Sequence, residues 1–194
     1  MILSLVLMSI ISGGLVSVLG YYSPFMILST VLTSIGAGLL ATFQTDTGYS
    51  KWIGYQVIFG GGVGFGMQQT LMAVQASLPM ADVPIATAIM MFCQTLGGAL
   101  FISVGQNVFQ NELIKNIAAA VPGLNTDIAI NVGATQLQSV IPAQYLSDVL
   151  FAYNESLVKT FYVAVAMAAV TALGSALVPW NSVKGKKIEM GAAA

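Results

Sequence analysis

Histidine and arginine are absent from this sequence, cysteine occurs once, and only 7% of its 194 residues are charged. Each shortage excludes something. Without histidine there is no Ser-His-Asp triad. With Cys93 alone there is neither a thiolate–imidazole pair nor a His/Cys metal site. A single cysteine forms no internal disulfide and says nothing about redox compartment. Scarce charge excludes an ordinary soluble surface, since soluble chains average about 25% charged residues. Not one charge stands between Met1 and Thr45. The net charge of −1 and a pI near 5.0 imply no nucleic-acid partner. The run Gly60-Gly61-Gly62-Val63-Gly64-Phe65-Gly66 has the glycine content of a phosphate loop but neither its spacing nor a following Gly-Lys-Ser/Thr. An enzyme, a cofactor and a metal are therefore not expected.

What is present is apolar length. The chain is 57% hydrophobic, with a mean hydropathy of +0.86. A membrane crossing takes about 20 predominantly apolar residues. Five stretches qualify, at about 1–19, 25–43, 52–74, 84–108 and 157–178. They read as helices, because a helix satisfies its own backbone in lipid and no alternating barrel pattern is visible. The fold expected is an all-α, multi-pass membrane protein surrounded by lipid. The first stretch lacks the basic n-region of a secretory signal, and a second span follows at once, so it is read as a span.

Charges and aromatic residues gather at the borders. Asp46, Lys51, Asp82, Glu112, Lys115, Glu155 and Lys159 flank the spans, and Lys184, Lys186, Lys187 and Glu189 lie in the tail. Tyr21, Tyr22, Tyr49, Trp52, Tyr55, Tyr153 and Trp180 fit an interfacial belt. The tail lysines argue for a cytoplasmic C-terminus, with a tail at 179–194 and Met1 on the outer side. The connections at 44–51 and 76–82 are short. Asp82 is placed to cap the fourth helix, and Pro84 fits its first turn. The segment 111–154 reads as an external loop, with a turn at Pro122 and Gly123. A short helix from Pro142 would lay Tyr145, Val149 and Leu150 along the interface. Asn154-Glu155-Ser156 matches a glycosylation sequon, but its place at the mouth of a span disfavours use.

Small residues recur every fourth position. Gly60 and Gly64, and Gly62 and Gly66, do so on the third span; Ser34 and Gly38 on the second; Ala164, Ala168, Ala172 and Ala176 on the fifth. Gly97 and Gly98 add a small pair on the fourth. Such residues let helix backbones approach closely. Static packing is the simpler reading, and a sliding contact the alternative.

The polar residues within spans are amides. Gln68, Gln69 and Gln75 fall on the third span, and Gln94, Gln106 and Asn107 on the fourth. An unpaired amide in lipid is costly, so these should face protein or a water-filled cavity. Gln94 lies roughly 18 Å along the helix from Asp82, near the bilayer midplane where transporters bind substrate. Amides donate and accept, and so orient a neutral polar or polycyclic ligand. Gln68, Gln69 and Gln94 are the substrate-cavity candidates. For Gln69 and Gln94 an interhelical hydrogen bond is an equal alternative; for Gln75, Gln106 and Asn107, near the helix ends, it is the preferred one.

The run Gln94-Thr95-Leu96-Gly97-Gly98-Ala99-Leu100-Phe101 with Ser103-Val104-Gly105-Gln106-Asn107-Val108-Phe109 resembles the C-terminal half of fungal major facilitator superfamily efflux pumps, the fourteen-spanner drug:proton antiporters. Ile11-Ser12-Gly13-Gly14-Leu15, Gly20-Tyr21-Tyr22, Ile53-Gly54-Tyr55-Gln56, Gly64-Phe65-Gly66 with Gln68-Gln69, Asp82-Val83-Pro84-Ile85 and the ending 180–187 match in order. Thr70 and Ala86 replace a usual proline and glycine. Residues 13–22 resemble a worn copy of the superfamily's cytoplasmic loop motif, with Ser17 and Val18 where its acid and arginine would stand.

The resemblance implies a partial C-terminal six-helix bundle of a plasma-membrane exporter of small organic compounds such as toxins, drugs and secondary metabolites. It implies that the third span lines the cavity, that the first and fourth face the other half, and that the second and fifth are scaffold. By the same resemblance the N-terminal bundle, two linking spans and the first helix of the C-terminal bundle are not in the chain, and the proton-coupling acids lie in that part. Transport by these residues alone is therefore not expected without that bundle or a partner chain. The competing expectation is a non-transporting structural or regulatory membrane protein, or a truncated gene product.

Overall fold

The computed structural model describes residues 1–122 and 136–182; Gly123, Lys184, Lys186, Lys187 and Glu189 lie outside them. The described residues form α1 (Ile2–Leu19), α2 (Ser23–Leu40), α3 (Tyr49–Ser77), α4 (Val83–Ala120), the one-turn α5 (Leu137–Val140) and α6 (Ala143–Leu177). All but α5 are long and apolar enough to cross a membrane.

Local chemistry sets the boundaries. Gly20 adopts φ 81° and donates its N–H to the Val16 carbonyl, the left-handed closure that glycine favours. Pro24 sits in the first turn of α2 and Pro84 in that of α4, where no N–H is needed. Leu78, Val121 and Ile141 each precede a proline and each leave the helical region, ending α3, α4 and α5. Asp82 stands at the N-cap position of α4, yet its backbone is already helical and its carboxylate makes no capping bond. Pro84, rather than a side-chain cap, starts this helix.

Side-by-side contacts run in the order α1, α3, α2, α6, α4, and α3 meets α4 only slightly. Two helices outrun the bilayer. The 38 residues of α4 and 35 of α6 measure about 57 and 52 Å at 1.5 Å per residue, against a hydrocarbon core of about 30 Å. The extra turns come from 111–154, which apolar length alone marked as a loop. Here α4 continues to Ala120 and α6 begins at Ala143. Leu113, Ile117 and Val121, one helical turn apart, bury against Leu137, Ile141, Val149 and Ala152. Phe109 meets Tyr153 edge-on, with ring centroids 5.1 Å apart. Val149 is thus a core residue rather than an interfacial one. Asn154 is helical, half-buried, and donates Nδ2 to the Phe43 carbonyl at 3.0 Å, so it is not presented as a loop acceptor for a glycan.

The closest helix packing surrounds α3. A Cβ placed on Gly60 would meet the Met1 carbonyl oxygen, and one on Gly64 the Leu5 carbonyl oxygen. On the other flank Gly62 lies against Thr33 and Gly66 against Ser29, while Gly36 of α2 lies against the Phe59 backbone. Nothing stands within 4 Å of a Cβ on Gly38, Gly97 or Gly98. A matched pair of substitutions separates packing from helix propensity. Gly62→Ala is expected to lower thermal stability in detergent by about 1–3 kcal/mol, through overpacking against fixed backbone. Gly38→Ala is expected to be neutral, or to stabilise by up to about 1 kcal/mol. Melting curves of the two purified variants check this, and equal melting would contradict it.

Candidate substrate-cavity residues

The third helix is held by hydroxyl groups as well as by glycine contacts. Ser4 of α1 donates to the Val57 carbonyl at 2.7 Å and Ser12 to the Phe65 carbonyl at 3.1 Å. Both pairs are 53 residues apart, so α1 and α3 run parallel in one register. From α2, Ser29 donates to the Gly62 carbonyl at 2.6 Å. In each case the hydroxyl hydrogen is satisfied without water.

Gln69 belongs to this seam. Its side chain is fully buried, and its Nε2 donates to Ser12 Oγ. Its Oε1 is buried with no partner among the described residues. Gln68, one residue earlier, is exposed, and so is Gln94 on α4. Neither makes a side-chain hydrogen bond among the described residues. The structure therefore does not join the three amides in one cluster. Gln69 is turned into the bundle, and Gln68 and Gln94 look away from it on helices that scarcely touch. Of the remaining amides, Asn107 bonds the Ser103 carbonyl of its own helix, and Gln75 is half-buried.

On α4, Gln94, Gly98, Phe101 and Gly105 follow helical spacing and share a face. From Gly98 onward that face lines a groove of about 790 Å³ between α4 and α6. Gly97, Gly98, Phe101, Phe161, Ala164 and Met167 give it an apolar wall, with Gln106 and Thr160 as polar points. Of the alanine stripe on α6, Ala164 faces this groove, Ala168 is buried and Ala172 is exposed. Within the apolar window of α4 none of the residues is buried. A surface so apolar and so open faces lipid or further protein.

One cluster escaped the sequence reading. Tyr21 and Tyr22 both matched an interfacial belt, but only Tyr21 is exposed; Tyr22 is fully buried. The Tyr22 hydroxyl donates to the Pro179 carbonyl beyond α6 and lies 3.4 Å from Ser77 Oγ at the end of α3. Asn181 Nδ2 donates to the same Ser77 oxygen at 3.3 Å. Ser182 Oγ donates to the Gly20 carbonyl at 3.2 Å, beside an isolated bridge from Tyr21 to Ser182. These bonds tie the α1–α2 turn to the ends of α3 and α6. The tyrosine ring packs with Val16, Phe25, Met72, Ala73 and Ala76. Only the pairing of two adjacent tyrosines, one of which must face inward, hinted at this in the sequence.

Comparison with known proteins adds what geometry alone does not. No family model matches the chain, and no solved structure matches it. Curated relatives do match. The chain is 60% identical to the MFS-type efflux pump MFS1 of Trichophyton rubrum over 193 residues, which is 100% of the chain and 36% of that pump. It is 50% identical to the aspyridones efflux protein of Neocamarosporium betae over 180 residues, 92% of the chain and 32% of that protein. It is 49% identical to the MFS acetylaranotin efflux transporter of Aspergillus terreus over 175 residues, 90% of the chain and 39% of that transporter. The chain thus spans about a third of the length of the relatives it matches.

The tyrosine cluster yields a direct check. Tyr22→Phe keeps the ring in its apolar site and removes only the hydroxyl. The Pro179–Ser182 segment should then loosen, and cleavage by a protease at the tail should become faster while the helical content stays the same. The net loss of stability should be small, about 0.5–1.5 kcal/mol for one hydrogen bond. Unchanged cleavage would show that the tether rests on Ser182 and Asn181 instead.

Proposed function

Because the chain is homologous, along its whole length, to part of the fungal MFS-type efflux pumps, we propose that it forms the C-terminal five-span portion of a proton-coupled exporter of small organic compounds. The observation that carries this is the 60% identity over the full chain. The geometry supports it in two ways. The fourth helix leaves its apolar window wholly unburied, as a surface made to meet the remainder of a larger transporter would. Gln68 and Gln94 are exposed on α3 and α4, polar points that a cavity closed by the other half would contain.

In this reading the substrate is a toxin, drug or secondary metabolite, held by apolar surface with a few amides to orient it. Gln68 and Gln94 are its contacts. Gly60 and Gly64 pack α3 to α1, Gly97, Gly98 and Ala164 receive neighbouring protein, and Ala168 and Ala172 belong to the scaffold helix. No acid lies on α4 between Asp82 and Glu112, or on α6 after Glu155. In this reading the proton-coupling groups belong to the part of the transporter that these residues do not supply. The chain performs no enzymatic step. Its membrane is the plasma membrane, with the C-terminus cytoplasmic. The Ser182–Gly20 bond sets the root of the lysine-bearing tail beside the α1–α2 turn, the segment that resembles the superfamily's cytoplasmic loop motif, so the two arguments name one side.

A chimera tests the proposal. This chain replaces the matching third of the Trichophyton rubrum pump, and energy-dependent efflux of a fluorescent organic dye is measured in cells. The chimera should export and the 194-residue chain alone in liposomes should not. A chimera present in the membrane but inactive would favour a purely structural role. Gradient-driven dye movement by the chain alone would show that it needs no second half. Within an active chimera, Gln94→Ala should lower export with membrane abundance kept; lost abundance with unchanged export per molecule would make the residue structural.

A further inference from the structure

The two neighbouring amides of α3 have opposite surroundings. Gln69 is fully buried and donates to Ser12 on α1, and Gln68 is exposed. A group shut inside the α1–α3 seam does not reach a ligand in the cavity. We propose that Gln69 is a positioning residue: with Ser12 it fixes the rotation of α3 beyond its glycine run, and so decides which way Gln68 points.

The argument is local. The glycine contacts of α3 end at Gly66. Past that point Gln69 supplies the next polar tie to α1, through the Ser12 hydroxyl that also grips the Phe65 carbonyl. Phe65 and Gln69 are one turn apart, so the two bonds clamp a single turn of α3 and Gln68 lies within that turn. Thr70 Oγ1 bonds back to Gly66 of its own helix at 3.3 Å and adds no tie to a neighbour. The amide uses an N–H on Ser12, while Oε1 stays unpartnered among the described residues. An orphaned acceptor is a standing penalty, and apolar residues of similar size would avoid it. A glutamine at this position is accounted for if direction, rather than stability, is what it provides.

The consequence for substrate contact rests on the reading of Gln68 as cavity-facing, but the placement itself is measured without transport. The full chain is reconstituted in lipid bilayers in a Cys93→Ser background, with a nitroxide label at Gln68→Cys or, as control, at the exposed Ile53→Cys on the same helix. Gln69→Leu and Ser12→Ala should each change mobility and oxygen accessibility at position 68 and leave position 53 as it was. Ser12→Thr, which keeps the hydroxyl, should restore the reference spectrum at 68. An unchanged spectrum at 68 in Ser12→Ala overturns the proposal, as does an equal change at 68 and 53, which would mean general loosening. Should Gln69→Leu fail to insert, the serine pair decides alone. A failed dye-efflux chimera with the expected spectra would remove the transport reading and leave the positioning role standing.

Discussion

Within a bilayer, helices gain little from hiding apolar surface, because lipid is as apolar as they are. What draws them together is contact distance and the hydrogen bonds that short distance allows. That constraint organises this protein around α3. Its glycines let the backbones of α1 and α2 come close enough for Ser4, Ser12 and Ser29 to reach main-chain carbonyls. The same hydroxyls at a wider spacing would be unsatisfied donors in hydrocarbon. Glycine and serine therefore act as one device here: the first sets the distance and the second uses it.

Away from α3 a different physics holds the fold. The end turns of α4 and α6, beyond the length a hydrocarbon core of about 30 Å takes up, meet through Leu113, Ile117, Val121 and Val149, an apolar core of the kind found in soluble proteins. Between these two regions α4 is open along its apolar window. The chain thus has one end tied by the tyrosine cluster, another closed by an apolar core, and a middle that is joined on one side only. The open apolar face of α4 is where lipid or further protein would meet it.

The number of spans and their rough positions were legible because apolar length is a composition signal that tertiary context does not alter. Helix ends were less so. Prolines at 79, 122 and 142 were visible, yet the continuation of α4 past Val108 was hidden by Glu112 and Lys115, whose charges marked a border. The turn-spaced Leu113 and Ile117 carried the contrary signal, and only a partner in α6 makes it decisive. At the candidate site, amide positions were readable but their directions were not. Gln68 and Gln69 differ by a rotation of about 100° on a helix, and which of them turns inward depends on Ser12, fifty-seven residues away. Tyr22 was misplaced for the same reason: its partners at Pro179 and Ser77 are distant in sequence.

The parallel seam of α1 and α3 also behaves as a detent. Slipping α1 by one turn, about 5.4 Å, would again offer the serines a carbonyl each, since carbonyls repeat along a helix. The glycines do not repeat without end. Moved toward the C-terminal end of α3, Leu5 would leave Gly64 for Gln68; moved the other way, Met1 would leave Gly60 for Gln56. Either step sets main chain against a residue that carries a Cβ, whichever way the rest of its side chain points. The hydroxyl ladder alone would permit several stops, and the glycine run leaves one seat. The glycine contacts thus oppose sliding of α1 along α3 and favour the two helices moving together.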